Sequence, residues 1–240
     1  LVAFTSCVTA FLIIPMWTTS TPFSFSGDLI VVLYLLTLPT LSFFLGAWYS
    51  KSLYSMVGAV RSITQLFAYE IPLFLGVLTP ALLADSWSMR EITQFYAAHP
   101  HYWLFNLVAF GVSFVALMGK LEKVPFDIPE AETEIVAGSF TEYSGRLFAF
   151  IRMSLNIELI AGSALLAAVF LPWGMHLPIY ATIPLFFAKI LLIVILVALM
   201  RTLLARFRID QMITFCWKYL APVAFIQILA TLVIKGALMS

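Results

Sequence analysis

Long apolar stretches alternate with short polar ones along the whole chain. Seven stretches approach or reach the roughly 20 residues that cross a bilayer as a helix: 1–17, 29–48, 66–84, 103–119, 147–171, 183–200 and 213–234. The first is short and reads as the end of a longer helix. The second is uninterrupted. Glu70 interrupts the third, Arg152 and Glu158 the fifth, and Lys189 the sixth, while Lys218 stands near the start of the seventh. The pattern predicts an all-α fold, a polytopic transmembrane helical bundle that takes up residues 1–240 as a single membrane domain. Between the third and fourth stretches, residues 86–98 (SWSMREITQFYAA) predict a short interfacial helix. Trp17, Trp48, Trp87, Trp103 and Trp173 fall near predicted span ends, where an aromatic belt lies. Pro39, Pro72, Pro80, Pro184 and Pro222 lie in or near spans, where neighbouring helices re-satisfy the freed backbone groups. No internal repeat or low-complexity segment is visible.

Composition supports this pattern. Of 240 residues, 62% are hydrophobic and 10% charged, with a mean hydropathy of +1.03. Soluble domains carry about 25% charged residues, so lipid is the natural solvent for this chain. The net charge of +1 gives no electrostatic reason for a nucleic-acid partner. Cys7 and Cys216 are far apart in apolar runs and lack metal-ligand spacing, which marks them as packing residues. His99, His101 and His176 are scattered in loops. The chain begins inside an apolar run with no basic leader, so an additional N-terminal segment is expected in the natural protein rather than a signal peptide.

The basic residues set an orientation. One set of loops holds Lys51 and Arg61, then Lys120, Lys123 and Arg146, then Arg201, Arg206 and Arg208. The opposite set holds Arg90, with Lys235 near the C-terminus. The positive-inside rule makes the first set cytoplasmic in a prokaryotic inner membrane, with the C-terminus outside.

Three constellations carry possible chemistry. Residues 119–145 (GKLEKVPFDIPEAETEIVAGSFTEYSG) hold Glu122, Asp127, Glu130, Glu132, Glu134 and Glu142, half of the twelve acidic residues, on the side where basic residues are expected. Pro129 can start a short helix with Glu130, Glu132 and Glu134 in its first turns. That would stack Glu130 and Glu134 at i,i+4, which is destabilising for like charges. The segment reads either as a solvated acidic loop that docks a basic partner or as a proton-exchanging carboxylate cluster. The second constellation is Glu70, Glu158 and Lys189, in three different predicted spans. An ionisable group at mid-membrane costs about 2.5–3.5 kcal/mol on insertion scales and usually marks an ion path. A structural Glu–Lys pair between helices is the plainer alternative. Arg152 and Lys218, nearer span ends, read as snorkelling residues. The third is residues 54–70 (YSMVGAVRSITQLFAYE), where Arg61 and Gln65 share one helix face on the approach to Glu70.

The segments YSMVGAVRSITQLFAYE and PFDIPEAETEIVAGSFTEYSG, with the closing ARFRIDQMITFCWKYLAP, resemble the H-type membrane subunits of NADH:quinone oxidoreductase. That family is known as subunit 1 in mitochondrial complex I, and it includes the membrane subunit of energy-converting hydrogenases and formate hydrogenlyase. The resemblance implies eight transmembrane helices, of which this chain holds the last seven. It implies a place at the heel of a membrane arm. The partners would be antiporter-like and small membrane subunits, together with iron–sulfur and catalytic subunits above the membrane.

The resemblance places no cofactor in this chain. Iron–sulfur clusters, and a nickel–iron centre in the hydrogenase branch, would sit in partner subunits, and quinone at the interface. By motif position Glu70, Glu122, Asp127, Glu130, Glu132, Glu134, Glu142, Glu158 and Lys189 become candidates for a proton relay. Arg61 and Gln65 become candidates for lining the quinone cavity. The chain departs from the quinone-type pattern at Lys120, where a Glu is usual, with the acid displaced to Glu122. It departs again at Glu158, one turn beyond the usual Glu. FLPWG, at 170–174, resembles the hydrogenase branch and GAVRSITQLFAYE the quinone branch, so both functions stay open. The chain has no nucleophile–base pair, metal-ligand spacing or phosphate loop of its own. A self-contained transporter would show pseudo-symmetric halves, and a mere anchor has no use for buried Glu70, Glu158 and Lys189.

Overall fold

A computed structural model describes residues 1–15, 24–171, 173–174 and 178–239, excluding the side chains of Pro100, Glu132, Thr133, Ile179 and 237–239. Trp17, Pro172 and His176 therefore lie outside the described residues, as does the side chain of Glu132. Among the described residues every regular element is helical. α1 (Val2–Ile13) is a shorter apolar helix, and six spans are long and apolar enough to cross a membrane. They are α2 (Asp28–Tyr49), α3 (Leu53–Ala84), α5 (Leu107–Lys120) with a 3-10 lead-in over Pro100–Asn106, α7 (Gly145–Phe170), α8 (Ile179–Leu203), and a composite last span. The last span runs from α9 (Ile209–Phe215) through a π turn (Cys216–Leu220) into α10 (Ala221–Met239). Pro222 has no N–H to offer the carbonyl one turn back, and the widened turn lies just before it.

α3 is the central helix, packed on α2, α5 and α10, while α1 lies against α2 and α7. The last ten residues of α7, Ala161–Phe170, are buried all round. Ala161, Gly162, Ser163 and Ala164 let neighbouring backbones come close, as small residues do between membrane helices. α8 and the last span are the least buried and present broad apolar faces outward.

The sequence pattern starts the third span at 66, but α3 begins thirteen residues earlier. At 1.5 Å per residue it is about 48 Å long, well beyond a hydrocarbon core of about 30 Å. Its first half escapes a hydropathy reading because it carries Ser55, Gly58, Ser62 and Gln65. These repeat at three and four residues, share one face, and are all buried.

The partner of that face is the acidic loop. A 3-10 turn (Gly138–Phe140) lies directly on Gly58, where a Cβ would stand 2.5 Å from the Ser139 nitrogen. The loop also meets the α8–α9 connection. The Phe207 N–H donates to the Pro125 carbonyl at 2.9 Å, and the rings of Phe126, Phe207 and Phe215 cluster at 5.8–6.5 Å. The loops assigned to one membrane face by their basic residues are thus joined at one face of the bundle.

On the opposite face the interfacial helix appears as α4 (Met89–Ala98). Its first N–H is capped by buried Asp28, whose Oδ1 accepts from the Met89 nitrogen at 2.7 Å. Lys235 pairs there with Asp85 at 2.5 Å, and Trp103 meets Trp173 edge-on at 5.0 Å.

The helix expected to begin at Pro129 is shorter and later than the sequence suggests. α6 covers only Glu132–Ile135, with Ala131 as its cap, and Val136 ends it at a positive φ of 62°. Glu130 precedes the helix, so Glu130 and Glu134 do not stack as like charges on one helical face. Each finds an arginine instead.

Candidate functional site

The ionisable groups form two layers. The outer layer lies where the acidic loop covers the ends of α3 and α7. Arg61 of α3 donates to Glu134 Oε2 at 2.6 Å, and Arg206 approaches the other oxygen at 3.5 Å. These cations, the Arg61 hydrogen bond first, hold the Glu134 carboxyl below the usual range. Arg152 of α7 reaches Glu130 at 3.4 Å and lies over the Phe148 ring. The snorkelling assigned to Arg152 is therefore corrected to a cross-link between α7 and the loop. Glu142 is exposed on the EYSG turn, and Asp127 is half-buried in the loop.

The inner layer lies beneath this cover. Glu122 is buried, and Ser62 Oγ donates to its Oε1 at 3.4 Å while facing Ser139 Oγ at 3.3 Å. Burial pushes the Glu122 carboxyl up to about 8, with the charges of Glu130 and Glu158 adding to the effect and the Ser62 hydroxyl opposing it. Gln65 ties the loop to α3, its Nε2 donating to the carbonyls of Gly119 at 2.7 Å and Phe126 at 2.8 Å. Both amide hydrogens are thereby used inside the protein.

Deeper still, Lys120 Nζ stands 3.6 Å from Glu158 Oε1, both side chains being no more than 2% exposed. The Lys120 ammonium lies 5.7 Å from the centre of the Tyr69 ring, and the Tyr69 hydroxyl reaches Thr40 at 3.3 Å. Glu70, next to Tyr69 in α3, is half-buried and borders an apolar hollow of about 500 Å³ with Tyr34, Leu38, Leu66 and Phe67.

The structure thus gathers Glu122, Glu158 and the arginine-bound Glu130 and Glu134 about the first half of α3, with Glu70 at the middle of that helix. Lys189 stands elsewhere. Its Nζ donates to the Leu171 carbonyl at 2.6 Å and to that of Trp173, so it caps the C-terminal end of α7. A second hollow, about 480 Å³ and mainly apolar, lies between α1, α2 and the start of α7, bordered by Phe43, Phe140, Tyr143 and Phe150. Arg61 and Gln65 border neither hollow. No group of three or more His, Cys, Asp or Glu side chains suited to a metal occurs among the described residues.

A family model for NADH dehydrogenase matches residues 1–232. The chain belongs to the NADH dehydrogenase family. It is 33% identical over 223 residues to an H-type NADH-quinone oxidoreductase subunit of Syntrophobacter fumaroxidans, covering 91% of this chain and 66% of that protein. It is 37% identical over 203 residues to the H-type NADH-quinone oxidoreductase subunit of Dehalococcoides mccartyi strain CBDB1, covering 83% of this chain and 57% of that protein. The chain therefore spans 57–66% of the length of these curated relatives. Among solved structures it superposes on a chain of the membrane-bound sulfane sulfur reductase, an archaeal respiratory membrane complex. The TM-score is 0.83 at 26% identity, covering 95% of this chain and 77% of that one. Membership in this family agrees with the six helices that are long and apolar enough to cross a membrane.

The group that sequence reasoning missed is Lys120. As the last residue of an apolar stretch it reads as a topological marker. Only the return of the loop over the end of α5 encloses it. The signal available in the sequence is its position, five residues before Pro-Phe-Asp, where the resemblance leads one to expect a carboxylate.

The Glu122 environment gives a pH prediction. Below the ordinary glutamate range both folded and unfolded chains hold the proton. Between that range and about 8 the unfolded chain has released it while the folded one still binds it, so stability falls with rising pH. Above that range the contribution is constant. Thermal midpoints measured between about pH 5 and 9 should show this decline. In Glu122→Gln the decline should flatten, and an unchanged profile would remove Glu122 as its source.

Proposed function

We propose that this chain is the membrane-arm subunit of a complex-I-like quinone oxidoreductase, supplied with electrons by NAD(P)H or ferredoxin. In this reading it forms the floor of the quinone chamber and the start of the proton relay that couples redox chemistry to ion translocation. The observation that carries the reading is the row of ionisable groups leading inward from the arginine-bound loop: Glu122, then Glu158 with Lys120, then Glu70. Glu122 is buried and largely protonated at neutral pH, so it can give a proton as well as take one. Its elevation by the charges of Glu130 and Glu158 means that events in the loop and in α7 both bear on that proton. The loop faces the cytoplasm by the positive-inside rule, in the prokaryotic inner membrane. There the partner subunits that hold the iron–sulfur clusters would rest on Arg61, Glu130, Glu134 and Arg152.

The named relatives favour quinone as electron acceptor, and none of the proteins named above is a hydrogenase. Within this reading Gln65 acts as the tie that holds the chamber floor to α3. The apolar hollow beside Phe140 and Tyr143 is the better path for a quinone tail than the Gln65 neighbourhood. Lys189 serves α7 rather than the relay.

The test uses the native complex, purified in mild detergent and returned to liposomes, with its companion subunits identified by mass spectrometry. Glu70→Gln should leave assembly and electron transfer in place and reduce ion transport per electron severalfold. Unchanged transport would remove Glu70 from the relay. A companion hydrogenase subunit with intact metal-ligating cysteines would replace the quinone reading.

A further inference from the structure

We propose that Trp217, Lys218 and Tyr219 form a binding site for the phosphate of an anionic phospholipid, in the leaflet on the acidic-loop side of the membrane. The site stands apart from the carboxylate row and takes no part in the relay.

Depth places these residues at the membrane edge. The last span begins beside the acidic loop, where the Phe126 and Phe215 rings meet, and Lys235 pairs with Asp85 at the other face. No charged residue occurs between Lys218 and Lys235. The two lysines stand seventeen positions apart, about 26 Å of helix, close to a hydrocarbon core of about 30 Å. Lys218 therefore lies at the level of the lipid phosphates, and Trp217 and Tyr219 have the residue types of an interfacial belt.

The π turn gives the three side chains a common side. Cys216 and Leu220 are buried, and the three residues between them are exposed. The Ala221 N–H bonds the Cys216 carbonyl five residues back. A turn closed in this way holds more residues than an α turn, so successive side chains fan out through a smaller angle. An indole N–H, an ammonium and a phenol O–H are thereby presented together. Lys218 has no ion pair among the described residues, and its ammonium lies 5.8 Å from the centre of the Tyr219 ring. The preceding acid on this span, Asp210, is about 12 Å back along the helix. No carboxylate on the span is at hand for the amine of a zwitterionic head, so the site favours an anionic one.

The surface that continues from the site fits a lipid tail. Pro222, Ile226, Leu229 and Val233 follow Lys218 at steps of three or four residues, share its face and are all exposed. They form an apolar track about 16 Å long. Contacts between membrane helices favour small residues, and this track has none, so an acyl chain suits it better than a partner helix.

The test uses the native complex in mild detergent and a phosphatidylglycerol with a photoreactive group beside its phosphate. Irradiation should label the peptide that contains Trp217–Tyr219. Unlabelled phosphatidylglycerol should compete, whereas phosphatidylcholine and inorganic phosphate should not. Lys218→Gln should lower this label about fivefold, the effect expected of one basic residue at a lipid surface. Lys218→Arg should restore it, and labelling elsewhere in the complex should not change. An unchanged label in Lys218→Gln would overturn the proposal, as would equal competition by phosphatidylcholine. Competition by inorganic phosphate would make this a site for free anions instead. Cross-linking of the peptide to another subunit, with no lipid label, would assign the face to a protein partner. The competition and cross-linking readings use the unaltered complex, so they decide the matter whether or not the glutamine variant assembles.

Discussion

Lys120→Met should destabilise the protein by about 3–5 kcal/mol, the range seen when one member of a buried ion pair is removed. Methionine fills much of the space but leaves Glu158 enclosed with no cation. The Tyr69 ring also loses a desolvated charge over its face, a contact worth up to about 2 kcal/mol in such surroundings. Glu158 then relieves the strain by keeping a proton or by drawing the loop open. The double replacement Lys120→Met/Glu158→Leu removes both charges and both desolvation costs. It should regain most of the lost stability, because a well-packed apolar pair often equals a buried ionic one. Thermal midpoints of the purified complex, native against single against double, provide the check. A double variant no more stable than the single would mean that packing, rather than the charge of Glu158, sets the effect. Stability regained without coupling regained is the outcome expected if evolution has kept the pair for transport.

The sequence and the structure differ most where a chain segment returns over another. Hydropathy was sufficient for α2, α5, α7 and α8, because each span must bury its backbone polar groups within itself and so requires an unbroken apolar run. α4 was equally legible from its amphipathic spacing. The first half of α3 was not, since Ser55, Gly58, Ser62 and Gln65 look like loop residues until the acidic loop is laid on them. Glu70 and Glu158 stood out because acids inside apolar runs are rare.

Their partners did not stand out. Of the Glu–Lys pairs between helices that the sequence left open, Glu158 with Lys189 fails on depth. Lys189 binds carbonyls at the C-terminal end of α7, and Glu158 lies twelve residues before Phe170, about 18 Å back along the same helix. Lys120 comes from the opposite end of its own helix, at the depth of Glu158. In the same way Glu130 and Glu134, which looked like mutual repulsion on one helix, are separated by the late start of α6 and given to different arginines. Spacing along a chain fixes which residues share a face, whereas the depth and partner of a charge depend on how the loops close.

The loop is also the place where a single methyl group should do the most harm. Gly138 has φ +52°, and a Cβ there would stand 1.8 Å from the Pro129 carbonyl oxygen, a backbone atom that cannot turn aside. Gly138→Ala adds the usual penalty of about 1 kcal/mol for a left-handed alanine to a collision that only movement of the chain can relieve. The movement must pass either to Pro129 and Glu130 or to Ser139. Displacing the first would pull Glu130 from Arg152. Displacing the second would separate Ser139 from Ser62 and so disturb the hydrogen bond to Glu122.

The three atoms nearest this carbon all belong to the loop, at Pro129 and Glu130, so the spans should still insert and assemble. The expected result is a complex of near-normal yield in which ion transport per electron falls severalfold and the loop becomes sensitive to limited proteolysis. Gly58→Ala, pressing on the same turn from the α3 side at 2.5 Å from the Ser139 nitrogen, should give a similar result. A Gly138→Ala complex with native coupling and a protected loop would mean that the turn can shift without disturbing Glu122. It would then be the arginine pairs above, rather than the fit of the loop on α3, that hold the inner layer in place.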